Sequence, residues 1–193
     1  MSKYYYHGVD SFRIFMKILT DGEIKSARLL GKTLEKDYCN LGFNGLDFIC
    51  LCNKVNEHAL GYDSFEYFIV DSYCFIISDD IDVLKPVVFN WDNEIDYLEA
   101  KLKALNEGMQ LSPFIDEYRT KYRITIDNIL GIGLPLENKY SKEELVLLRQ
   151  SLALARSLGL DIVDSSDEFF IEKYESKKYN KEEIVQKIKR LGL

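Results

Sequence analysis

One stretch limits the folds open to this chain more than any other: Tyr4-Tyr5-Tyr6-His7-Gly8 and the segment that follows it, Val9 to Ala27. A short aromatic run reads as a strand and closes on a lone His-Gly pair. After Asp10-Ser11, the apolar residues Phe12, Phe15, Met16 and Leu19 recur at helical spacing. Asp10 or Ser11 can accept from the first unpaired backbone N–H groups as N-cap, and Gly22 falls where a left-handed C-cap belongs. Glu23-Ile24-Lys25 then extends away. Strand, His-Gly, capped helix and Gly stop follow one another closely, which sets a histidine at the mouth of a cleft.

Further on, the turn signal Gly42-Phe43-Asn44-Gly45 leads into a strand over Leu46–Cys52. Asn53 to Tyr67 reads as loop or short helix around Gly61-Tyr62-Asp63. The strongest β pattern covers Phe68 to Ser78, as Phe68-Ile69-Val70 and Tyr73–Ile77 with a turn or bulge at Asp71-Ser72. Val83 to Phe89 is a short strand that Pro86 confines to an edge. From Glu94 the period changes: Ile95, Leu98, Leu102 and Leu105 form the apolar stripe of a surface helix ending at Gly108. Asp116-Glu117-Tyr118 opens a late strand, and Leu130–Pro135 reads as a final buried one. Ser141-x-x-Glu144 is a capping box that starts a helix carrying Leu145, Leu148, Leu152 and Ala155. Ile162-Val163 either adds a strand or tucks under the core. A polar segment from Asp164 to Asn180 precedes a terminal helix built on Ile184, Ile188 and Leu191.

At 193 residues the chain is long enough for one well-buried core, so a single domain with an appendage is expected. Aromatic residues make up 13% of it, which suits either a β-rich core or an aromatic-lined pocket. The net charge of −7 argues against an extended nucleic-acid or anionic-membrane surface, because such binding depends on neutralising phosphates. The N-terminus lacks the continuous apolar core of a signal peptide, and no run approaches the roughly 18 apolar residues of a membrane span. A soluble cytoplasmic protein is expected. Cys39, Cys50, Cys52 and Cys74 contain no Cys-x-x-Cys and read as buried free thiols. With only His7 and His58, zinc-protease and finger spacings are absent, and no metal is expected.

The order of these pieces resembles the ADP-ribosyltransferase superfamily, in the branch typified by diphtheria toxin and the poly(ADP-ribose) polymerases. The matching residues are His7-Gly8, then Ile18-Leu19-Thr20-Asp21-Gly22, a strand entered through Gly45 and carrying Phe48, and Asp116-Glu117-Tyr118 opening a late strand. Together they run over residues 4 to 135. The resemblance implies an α+β domain, a split antiparallel β-sandwich with flanking helices, over residues 1–137. A C-terminal helical extension would occupy 138–193.

The resemblance also implies NAD as the substrate. His7 would bond the nicotinamide ribose and the Gly8 backbone would bond the nicotinamide amide. Lys25 or Arg28 would neutralise the pyrophosphate. Where the family carries a stacking tyrosine, this chain has Asp47 or Phe48; Phe48 supplies the flat ring without the hydroxyl. Tyr62, with Tyr67 in reserve, is the second stacking aromatic. Glu117 is the candidate catalytic carboxylate. As nicotinamide leaves, an oxocarbenium-like centre forms, and a carboxylate can bond the ribose 2′-hydroxyl, stabilise the developing charge and orient or deprotonate the acceptor.

Each residue also has a plain structural reading. His7 can be a satisfied strand-end histidine, Glu117 a solvated carboxylate on an edge strand, Lys25 and Arg28 surface charges, and Tyr62 and Tyr67 packing residues. At the level of function, NAD-dependent ADP-ribosyl transfer or NAD hydrolysis stands first. A catalytically inactive module of the same fold, binding a nucleotide or a protein, stands second. An RNA 2′-phosphotransferase, whose fold is related, needs several basic residues around its histidines, which an acidic chain with two histidines matches poorly. A cysteine-nucleophile enzyme using His7 or His58 lacks an activating context for any thiol. The acidic surface favours a protein, small molecule or water over nucleic acid as acceptor.

Overall fold

The computed structural model describes residues 4–9, 11–31, 47–53, 69–90, 92–109, 111–121 and 123–193. The chain separates into two units interleaved along the sequence. One comprises Lys3–Glu23, Phe68–Asp79 and Thr125–Leu193; the other comprises Met1–Ser2, Ile24–Tyr67 and Asp80–Ile124.

The first unit is built on three apolar strands, β1 (Tyr4–Val9), β4 (Tyr73–Ser78) and β9 (Ile129–Leu134), joined by β10 (Asp161–Asp164). Their order is β10-β9-β4-β1. β1 and β4 run antiparallel, with His7 opposite Phe75 and Gly8 opposite Cys74. β4 and β9 are also antiparallel, with an irregularity at Ile76/Ile77. In β9 the two glycines are required by close approach. A Cβ on Gly133 would lie 2.4 Å from the Cys74 sulfur, and one on Gly131 would lie 2.9 Å from the Asp161 carbonyl oxygen.

Helix α1 (Phe12–Asp21) forms where its spacing predicts and buries Phe12, Phe15 and Leu19. Each such side chain contributes about 1.5–3 kcal/mol on burial. Phe15 stacks on Phe75 at 4.9 Å, and Tyr73 lies against both Phe12 and Phe15. Ser11 is the N-cap through its backbone carbonyl, which accepts from Phe15, and makes no side-chain cap bond. Gly22 ends the helix at φ 73°, a conformation that favours glycine. Its N–H donates to Ile18 and its carbonyl accepts from Ile126.

Two expectations change here. Ile69-Val70 does not continue the strand; it forms a turn closing at Asp71, which has φ 56°. The Ser72 hydroxyl donates to the Ile69 carbonyl, and the Asp71 N–H donates to Ser165 at 2.7 Å, so side-chain and long-range bonds override the β propensity of Ile and Val. Phe68 lies outside the described residues. The sheet is also mixed rather than wholly antiparallel, since β9 and β10 are parallel. Helix α3 (Lys142–Ser157), opened by the complete Ser141/Glu144 capping box, supplies the crossover that a parallel pair needs. Of the two readings of Ile162-Val163, the added strand is the one observed. The expected boundary at residue 137 thus falls inside one unit. Helices α4 (Phe170–Glu175) and α5 (Lys181–Arg190) complete it against β10.

The second unit holds the antiparallel pair β3 (Phe48–Cys52) and β7 (Glu117–Lys121). Leu84 and Arg119 exchange backbone bonds of 2.7 and 2.9 Å along β7's other edge. A short parallel pair, β5 (Val87–Val88) with β6 (Leu111–Ser112), packs under helix α2 (Glu94–Glu107). The ribbon of β2 (Glu23–Lys25) with β8 (Arg123–Thr125) buries Ile24 and Ile124. Helix α2 ends at Gly108, as expected, but its apolar stripe does not face inward. Ala100 and Ala104, with Tyr97 partly buried beside them, meet Val87, Phe89 and Leu111.

The fold is therefore a mixture of α and β structure. Among the described residues, no helix is long and apolar enough to cross a membrane.

Candidate functional site

Glu117 opens β7, as expected of a carboxylate at the start of a late strand. It is not solvated: only 3% of it is exposed. On a strand, residues two apart share a face, so Arg119 stands on the same side. The Arg119 Nε donates to Glu117 Oε1 at 3.0 Å and Nη2 donates to Oε2 at 3.1 Å. The Ser112 hydroxyl donates to Oε2 as well, and also accepts from the Phe114 N–H. Arg119 has a further bond to the Leu111 carbonyl at 3.1 Å. This is a two-point guanidinium–carboxylate pair with a hydroxyl added, among the stronger hydrogen-bonding arrangements in proteins. Burying two charges is costly, and it is tolerated here because each finds several partners.

The sequence motifs give Ser112 and Arg119 no role. The signal was present in the strand itself: Glu-x-Arg with period-2 alternation places the two charges side by side.

The register of β3 on β7 fixes the other candidates in this unit. Cys52 stands opposite Glu117, Cys50 opposite Arg119, and Phe48 opposite Lys121. Phe48 and Glu117 therefore lie at opposite ends of the ladder. Four residues of strand separate them, about 13 Å at roughly 3.3 Å per residue. The two are not brought together. Phe48 is half-buried. Asp47, the other residue at the family's tyrosine position, is bonded at both carboxylate oxygens by Arg28. Arg28 is exposed and engaged in that ion pair, and Lys25 is half-buried on β2.

Burial, then the Glu117 charge, pushes the Cys50 thiol up to about 12, so the thiolate needed for nucleophilic attack is scarce near neutrality. Burial likewise pushes the Cys74 thiol up to about 12. Cys52 is buried with its sulfur 3.4 Å from Asp116.

In the first unit, His7 and Gly8 sit near the end of β1, half-buried. Cross-strand partners share a face, so His7 lies on the side of Phe75 and of α1, while Tyr6 points to the opposite side. There the Tyr6 ring meets Phe170 edge-on and its hydroxyl donates to Glu175 at 3.3 Å. Burial, then the Glu175 charge, raises the Tyr6 phenol well above its ordinary value.

Tyr62, Tyr67, His58 and Cys39, together with the turn Gly42–Gly45, lie outside the described residues. Among the described residues, no group of three or more His, Cys, Asp or Glu is arranged to hold a metal ion.

No protein-family model matches this chain, nor does any curated protein or solved structure.

Proposed function

We propose that this chain is an NAD-dependent ADP-ribosyltransferase or NAD glycohydrolase built on an ADP-ribosyltransferase-like split β-sandwich, releasing nicotinamide as it transfers ADP-ribose to an acceptor or to water. The observation that carries the reading is the Glu117 carboxylate, held by side chains at the opening of β7. Arg119 and Ser112 fix its position through side-chain bonds. A carboxylate meant to engage a ribose hydroxyl needs such positioning.

In the proposed reaction the bond from ribose C1′ to the nicotinamide nitrogen breaks, and its electron pair leaves with neutral nicotinamide. A bond forms from C1′ to the acceptor oxygen or to water, whose proton passes to Glu117 or to solvent. His7 and the Gly8 backbone would hold the nicotinamide riboside end. Lys25 is preferred over Arg28 for the pyrophosphate, because Arg28 would have to give up its pair with Asp47. The acceptor is a protein side chain, a small molecule or water in preference to nucleic acid, given the net charge of −7.

A second reading has its own support: a module of this fold that binds a nucleotide or a protein without turnover. The occupied Glu117 oxygens favour it, as does the separation of Phe48 from Glu117.

The two readings part on NAD binding and nicotinamide release by the purified chain, with His7→Ala and Glu117→Ala beside it. Release that Glu117→Ala abolishes while NAD still binds supports the enzyme. Binding without release supports the module. Absence of binding rejects both nucleotide readings.

A further inference from the structure

The heptad-like spacing of α2 has the opposite fate from that of α1. Ile95, Leu98, Leu102 and Leu105 are 70, 55, 62 and 72% exposed. The helix packs inward through Ala100 and Ala104, so its largest apolar side chains point to solvent in a row. Their separations of three, four and three residues are the a and d positions of two heptads, the seam of a coiled coil. A contiguous apolar stripe of this kind marks an interaction surface.

We propose that α2 is a self-association surface, on which a second copy of this chain docks its own α2 antiparallel, about a two-fold axis. The charges flanking the seam select the occupant and the direction. Glu94 and Lys101 flank one side, at the g positions; Glu99 and Asn106 flank the other, at e. In an antiparallel pair each flank meets its own copy, so Glu94 meets Lys101 of the second copy, and the two-fold axis makes that contact twice. In a parallel pair Glu94 would face Glu99, a repulsion. Opposite charges at these positions set partner and orientation in helical pairs. In the free chain Lys101 leans over the Tyr97 ring, 5.7 Å from its centre, on the same flank.

The helix is formed before it docks. The Asn93 side chain accepts from the N–H groups of Ile95 and Asp96, and Gly108 closes the other end at φ 62°. No ordering of the helix is needed on association, which removes one cost of binding. The surface is small: fourteen residues span about 21 Å at 1.5 Å per residue. A single helix pair of that length falls at the low end of specific interfaces, so the dimer is expected to be concentration-dependent.

Sedimentation velocity over a concentration series tests the proposal. The wild-type chain is expected to pass from monomer to dimer as concentration rises. Leu98→Glu with Leu102→Glu should abolish the dimer with the thermal midpoint unchanged, because both side chains are exposed. The charge flank gives a second test independent of the apolar seam. Glu94→Lys alone and Lys101→Glu alone should each associate less than wild type. Mixing these two variants should restore a heterodimer, because the flank is then wholly positive on one copy and wholly negative on the other. A chain that stays monomeric to its solubility limit overturns the proposal. So does a dimer that survives the Leu98/Leu102 change, or a mixture that fails to recover association.

Discussion

Two carboxylates in this chain are buried to the same degree, Glu117 and Asp164, each 3% exposed and each facing a cation. They are held in different ways. Asp164 Oδ1 accepts from the backbone N–H groups of Leu136 and Ser166, both at 3.0 Å, while Lys187 reaches Oδ2 at 2.5 Å. It thereby ties the end of β10 to the chain leaving β9, a backbone clamp. The Glu117 carboxylate is held instead by the side chains of Arg119 and Ser112. Moving Asp164 breaks the main chain's own bonding; moving Glu117 asks for rotamer changes. Equal burial therefore means structure in one case and, on the reading proposed above, a site in the other.

The sharpest way to break this comparison is Asp164→Ala. It leaves two backbone donors and a partly buried ammonium without that acceptor, and a loss of about 3–5 kcal/mol is expected from removing one side of such a pair. Chemical denaturation measures it. A loss under about 1 kcal/mol, the worth of an ordinary hydrogen bond, would show that the clamp is not structural.

Next in size is Ser112→Ala. Glu117 keeps Arg119, but it loses the hydroxyl donor and the Phe114 N–H loses its acceptor, so about 1.5–3 kcal/mol is expected. A loss as large as that of Asp164→Ala would erase the distinction between the two carboxylates.

The smallest effect is a pH dependence. Burial acts to lower the Lys187 ammonium, but Asp164 and Glu137 more than offset this, and the net shift is upward. A group raised in the folded state adds stability that is fully present below its unfolded value, about 10.4, and is lost as pH rises through the folded value. The wild-type chain should therefore lose stability above about pH 10.4, and Lys187→Met should flatten that slope. An unchanged alkaline slope in Lys187→Met would remove Lys187 from the clamp.

How much of this was legible beforehand depends on the kind of signal. Helix α1 was readable because its apolar face and its Gly22 stop agree, and helix α3 because Ser141 and Glu144 form a reciprocal cap. The α2 helix was equally readable, but not the face it buries. Periodicity says which residues share a face; Ala100 and Ala104 win the inward position because small side chains let the helix sit close to Val87 and Phe89. Ile69-Val70 looked like strand because β-branching is local, whereas the bond from Asp71 to Ser165 is not. At the candidate site, the strand positions of His7 and Glu117 followed from order alone. The occupation of Glu117 by Ser112 did not, because a loop must close before those two side chains meet.

One pair of measurements tests the central claim most directly: nicotinamide release from NAD and the thermal midpoint, each on Glu117→Gln and Asp164→Asn. Glu117→Gln leaves the buried Arg119 guanidinium without its counter-charge and lowers the midpoint as well, but below that midpoint it should lose release by a factor of about 10² or more, the range expected for a group acting on the transition state. Asp164→Asn should lose midpoint and, below it, keep release. If release falls in both variants in step with stability, Glu117 is a structural ion pair like Asp164, and the enzymatic reading is wrong.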